Sequence, residues 1–149
     1  MRVRAATAGL LLALGAARAD PPAGPRAEGP EWAVEARPGA SGSPLVDLRL
    51  EARAGFHINL EYPMAFLPSR EATARFSAAR VPLRPARTTP CPGDGKEVCS
   101  ATLELPYGQP PAGAARVAGT LAFSVCSADR CLIQKVPLSL AVGPAVPRG

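Results

Sequence analysis

Only one histidine, His57, occurs in the 149 residues. This excludes, within one chain, both a zinc site of two cysteines with two histidines and a blue-copper site of two histidines with one cysteine. No G-x-S-x-G nucleophile motif is present and the acids are scattered rather than paired, so hydrolase chemistry has no support. Arginine and lysine are spread out as well. Aromatics make up 5% of the chain and are not interleaved with any basic run, which argues against a nucleic-acid partner. No apolar run approaches the roughly 20 residues needed to cross a bilayer as a helix. Internal repeats and segments of clear helical periodicity are missing too, and no cofactor motif is recognisable.

What is present begins with a leader pattern. Met1-Arg2-Val3-Arg4 is basic, Ala5 to Ala17 is an apolar run of 13 residues, and Ala17-Arg18-Ala19 puts small residues at the −3 and −1 positions before Asp20. This pattern predicts a cleavable signal peptide over residues 1–19 and hence a periplasmic or secreted bacterial protein. No cysteine follows the cleavage point, so a lipid anchor is not indicated, and no span is expected after cleavage. Loss of Arg2, Arg4 and Arg18 would lower the formal charge from +5 to +2. Residues 20–30 hold four prolines and two glycines and read as a flexible tether. Residues 31–142 then make one domain, and 143–149 a short tail.

Within that domain the apolar period is mainly two. Val46, Leu48, Leu50 and Ala52 alternate with Asp47, Arg49, Glu51 and Arg53, the pattern of a half-buried strand. Further strands are predicted at Trp32 to Arg37, Gly55 to Asn59, Thr73 to Val81, Glu97 to Leu105, Ala115 to Cys126 and Leu132 to Val142. Leu60 to Arg70 reads as an irregular loop, and Trp32 as a core residue near the first strand. About seven short strands with proline- and glycine-rich turns predict an all-β, immunoglobulin-like antiparallel sandwich. Pro82, Pro106 and Pro137 should fall at edges, bulges or strand ends, because proline cannot donate to a ladder.

The four cysteines are the most informative residues. In an exported protein an even number favours disulfides over metal. Seven residues separate Cys91 from Cys99 and four separate Cys126 from Cys131, spacings that also suit a four-thiolate zinc site poorly. Ser127-Ala128-Asp129-Arg130 has the length of a hairpin loop. In such a hairpin Cys126 and Cys131 face each other with Cα atoms about 4.5–5.5 Å apart, within disulfide range. Strand parity sets Cys126 with Ser124, Ala122 and Thr120, opposite Val125, Phe123 and Leu121. Cys131 falls with Ile133, Lys135 and Pro137. Both sulfurs are therefore expected outside the core and near solvent. Cys99 is in phase with Ala101, Leu103 and Leu105, so its sulfur is expected to point inward. A Cys91–Cys99 bridge would be structural, contributing roughly 2–3 kcal/mol by loop entropy. Four cysteines permit three connectivities, and sequence alone does not choose among them.

The segment FSVCSADRCLIQKVPLSL resembles the region around the redox-active cysteines in the N-terminal periplasmic domain of the thiol:disulfide interchange protein DsbD family. Gly55-Phe56-His57-Ile58-Asn59 is similar to that family's glycine-aromatic strand. The resemblance implies an immunoglobulin-like, stand-alone electron-carrier domain in which Cys126 and Cys131 exchange. It implies partners of two kinds: a thioredoxin-like or membrane thiol reductant, and oxidised periplasmic proteins. It also implies a cap loop shielding the cysteines, for which Tyr62 and Phe66 are the local aromatic candidates. The cysteine spacing is one residue shorter than the family's common one, Leu132-Ile133-Gln134 stands where prolines are expected, and Cys91 and Cys99 have no assigned counterpart.

Two readings of function follow. In one, a thiolate of the Cys126/Cys131 pair attacks a partner disulfide and its neighbour resolves the mixed disulfide. Arg130 would favour the Cys131 thiolate and Asp129 oppose it. In the other, the same bridge staples a hairpin in a secreted binding or accessory module. His57 is either a proton carrier beside the pair or a hydrogen-bonded packing residue.

Overall fold

The alternation of Val46, Leu48, Leu50 and Ala52 becomes the inner face of a strand whose four apolar side chains are all buried. A computed structural model describes residues 25–40, 43–93, 95–108 and 114–143. The leader expected at residues 1–19 lies outside them. Ten antiparallel strands and no helix form among the described residues, as a β-sandwich-like all-β fold around one core. They are β1 (Arg26–Glu28), β2 (Trp32–Pro38), β3 (Leu45–Ala52), β4 (His57–Ile58), β5 (Ala65–Pro68), β6 (Val81–Pro82), β7 (Pro85–Pro90), β8 (Val98–Pro106), β9 (Ala115–Cys126) and β10 (Cys131–Val142).

The core collects the inward residues of β2, β3, β8 and β9: Val34, Leu48, Leu50, Leu103, Leu105, Leu121, Phe123 and Val125 are each at most 1% exposed. Trp32 meets Phe123 edge to face with ring centres 5.5 Å apart, so it seals the core from the first long strand, as expected. The longest ladder joins β9 to β10 through twelve residue pairs, from Cys126↔Cys131 to Ala115↔Val142. On its other side β9 pairs with β4 near Cys126 and with β5 between Gly119 and Ala122. Ala118, Ala122 and Ser124 on its outer face are as buried as the core-facing residues between them.

Several expected boundaries shift. Arg26–Glu28 pairs with Ala33–Glu35, so the tether expected through residue 30 ends in a strand. Ala65–Pro68, within the loop expected at Leu60 to Arg70, is β5. Its placement depends on Gly119, where a Cβ would overlap the Leu67 carbonyl and lie 2.7 Å from the Phe66 ring. The strand expected at Thr73 to Val81 does not form: the Thr73 and Ala74 amides both donate to the Arg116 carbonyl, and only the single bridge Arg75↔Gly108 precedes β6. The backbone there turns back on one acceptor instead of running a ladder, while Phe76 packs against Phe66. β7 was not expected, because its exposed Arg87, Thr88 and Thr89 carry no alternation. Pro82 and Pro106 end β6 and β8, and Pro137 sits in β10, which pairs with β9 alone, so its missing donor costs no ladder bond on a second side.

Candidate functional site

The site forms where the β9–β10 hairpin turns. The Ser127 amide donates to the Arg130 carbonyl at 2.8 Å, and the Asp129 and Arg130 amides both donate to Ser127 Oγ at 3.3 Å. A serine at the first loop position thus satisfies donors that would otherwise stay unpaired, and it fixes the turn. The last ladder pair before it is Cys126↔Cys131, and these two cysteines are disulfide-bonded with Cα atoms 4.0 Å apart. The other bridge joins Cys91 to Cys99.

Parity puts both sulfurs of the hairpin bridge on the outer face, but their accessibility differs. Cys131 is exposed on the outer edge of β10, whereas Cys126 is only 6% exposed although it lies outside the core cluster. The expectation that both sulfurs sit near solvent therefore holds for Cys131 alone. Cys126 is covered because its strand is flanked by β4 on one side and β10 on the other. Two residues back on the same face, Ser124 is fully buried and its hydroxyl has no hydrogen-bond partner.

Directly opposed residues present their side chains on one face with Cβ atoms about 4.5–5.5 Å apart. His57 is the β4 partner of Cys126, so His57, Cys126 and Cys131 form one row across three strands. His57 Nδ1 lies 3.4 Å from Glu97 Oε1, with the histidine side chain 24% exposed and the glutamate 58%. This row opens into a groove of about 470 Å³ that also includes Asn59, Leu60, Glu61 and Lys96. Leu60, in the lining of this groove, and Ile133, two residues beyond Cys131, are exposed.

The β3–β4 connection delivers His57 to this position. Ala54 and Gly55 both have positive φ, 54° and 79°, and the Phe56 amide donates to the Arg53 carbonyl at 3.0 Å. A tight turn with both central residues left-handed interrupts the path between β3 and β4, which both run antiparallel to β8, and glycine takes that conformation without strain. Phe56 then lies between the two bridges. Its ring carries the Arg130 guanidinium at 5.9 Å, and its carbonyl oxygen is 3.9 Å from Cys99 Sγ.

The remaining expected residues fall elsewhere. Phe66 is fully buried against Phe76 and pairs with Leu121 on the core side of β9, so it does not shield the cysteines. Tyr62 packs against the core and lines a separate groove with Pro82 and Leu83. The aromatic beside the hairpin turn is Phe56. Cys99 is half-buried rather than inward, because the β7–β8 register passes from Thr89↔Ser100 to Pro90↔Val98 and leaves Cys99 as an unpaired bulge residue. Arg130 is directed at the Phe56 ring. Sequence reasoning missed Phe56 and Glu97 as neighbours of the pair, since only the pairing of β4 with β8 and β9 brings them there, whereas parity had already set Ser124 on the face of Cys126. Comparison of the chain with protein-family models, curated proteins and solved structures returned no match.

Proposed function

We propose that this protein is a thiol–disulfide exchange module of an oxidising compartment outside the cytoplasm, acting through Cys126 and Cys131. The observation that carries this reading is the exposed residue Cys131 in a bridge at a hairpin turn, beside an open groove with a histidine in the same cross-strand row. Exchange requires access to one sulfur of the bridge, and Cys131 is the exposed residue of the two. In the reduced protein the Cys131 thiolate attacks a partner disulfide, and the partner's other sulfur leaves with the bonding pair. Cys126 then attacks Cys131 Sγ, which restores the bridge and releases the partner as a dithiol. Electrons would come from a thioredoxin-like or membrane thiol reductant and pass to oxidised exported proteins. The leader at residues 1–19 and the resemblance of residues 123–140 to the redox segment of the interchange family support this assignment. Cys91–Cys99 is the structural bridge in the same scheme, holding the bulge at the start of β8.

The burial of Cys126 favours a second reading, in which both bridges are staples of an accessory module. Limiting dithiothreitol followed by alkylation and peptide mapping separates the two. Exchange predicts that Cys126 and Cys131 are labelled at least about tenfold faster than Cys91 and Cys99, and equal rates support the stapled module.

A further inference from the structure

We infer that His57, held by Glu97, accepts the proton of Cys126 in the resolving step of exchange. The inference rests on the exchange reading above and adds to it the group that makes a buried thiol reactive. Cys126 is 6% exposed, and on its own face the preceding outward residue, Ser124, is wholly buried. Bulk water is thus a poor base for this sulfur, and a thiol that keeps its proton is a weak nucleophile. The residue directly opposite Cys126 on β4 is His57, on the same face and with Cβ atoms at the spacing of directly opposed residues. Imidazole is the side chain whose ordinary range of protonation spans neutral pH, so it can take a proton and return it within one cycle.

Glu97 Oε1 lies 3.4 Å from Nδ1, within ion-pair range, so its charge favours a proton on that nitrogen and leaves Nε2 as the acceptor. The charged groups around His57 are Glu97 and Lys96 ahead of β8, Glu61 after β4, Asp129 and Arg130 in the hairpin turn, and Lys135 on the outer face of β10. Glu97 is the one in ion-pair range of the ring. The Arg130 guanidinium sits over Phe56, next to His57 in the chain. Ser124 contributes a buried hydroxyl without a hydrogen-bond partner on the same side of β9.

The step balances. In the mixed disulfide the Cys126 thiol transfers its proton to His57 Nε2, and its sulfur attacks Cys131 Sγ. The Cys126–Cys131 bond forms, the bond from Cys131 to the partner breaks, and the partner sulfur leaves as thiolate. Two electrons pass from the protein to the partner disulfide, and the proton on His57 returns to solvent through the open groove.

The test uses the full mature chain, reduced mildly so that Cys126 and Cys131 are thiols and Cys91–Cys99 stays bonded, and mixed with dithiobis(nitrobenzoate) in a stopped-flow instrument. The first thionitrobenzoate released reports attack by Cys131, and the second reports resolution by Cys126. His57→Gln is expected to slow the second release about tenfold or more and to flatten its pH profile, with the first release within about twofold of wild type. Glu97→Gln, at an exposed position that tolerates change, is expected to slow the second release by roughly threefold and serves if His57→Gln folds poorly. A second release within about twofold of wild type in both variants, with its pH profile unchanged, overturns the inference. So does equal slowing of both releases. Failure of mild reduction to open Cys126–Cys131 before Cys91–Cys99 removes the exchange reading itself.

Discussion

At Gly119 the chain has no room for a side chain, because β5 crosses β9 there with the Leu67 carbonyl and the Phe66 ring against its Cα. Gly119→Ala is expected to destabilise the protein at the upper end of the roughly 1–3 kcal/mol typical of overpacking, since one of the clashing atoms is backbone and cannot rotate away. Chemical denaturation reads this directly, and a loss below about 0.5 kcal/mol would contradict the close approach. Other single residues show what could be read in advance. The outward parity of Cys131 and the strand-end positions of Pro82 and Pro106 and edge-strand position of Pro137 follow from the chain's own alternation and from proline's missing donor. The half-burial of Cys99 does not, because one bulge residue breaks the count of two on which the inward expectation depended. Phe66 was misjudged for a related reason: its segment lacks alternation, so nothing local reveals that it faces the core from a four-residue strand.

Elements differ in how much holds them. β9 and β10 pair along their whole length, and alternation alone located both to within a residue. β3 was equally legible. β1, β5, β6 and β7 were not, since strands of two to six residues without an alternating apolar face carry too little local signal. β1 pairs with β2 alone. Its Glu28 is exposed and bonded to Arg53 Nη1 at 3.2 Å and Arg26 Nη2 at 3.4 Å. The Arg53 hydrogen bond foremost, then that of Arg26, holds the Glu28 carboxyl below its ordinary value of 4.5. A depressed carboxyl contributes its stability above the ordinary value and loses it as pH falls through the lowered one. β1 is therefore expected to fray below about pH 4.5 before the rest of the sheet, with amide exchange in Arg26–Glu28 accelerating there and Glu28→Gln removing the pH dependence. Uniform exchange across β1 and β3 through that range would contradict it.

Taken whole, the molecule is a single antiparallel core carrying two bridges with different surroundings. One ties down a bulge where β8 begins, and the other closes a turn at the open end of the longest ladder. Fold class was legible because it rests on local alternation, whereas the cysteine pairing, left among three connectivities by the sequence, comes from the structure. The groove was not legible, since His57, Glu97 and Cys126 are distant in sequence and meet only through the two-residue strand β4. For a carrier, the hairpin must survive loss of its bridge, and twelve ladder pairs backed by buried Leu121, Phe123, Val125 and Val136 provide for that. The decisive measurement is the equilibrium midpoint of each bridge in glutathione and dithiothreitol buffers, with circular dichroism recorded on the same samples. The account predicts that Cys126–Cys131 opens above about −300 mV with the β-sheet signal intact, while Cys91–Cys99 persists to lower potential. A common midpoint below that value, or unfolding on reduction of the hairpin bridge, would contradict it.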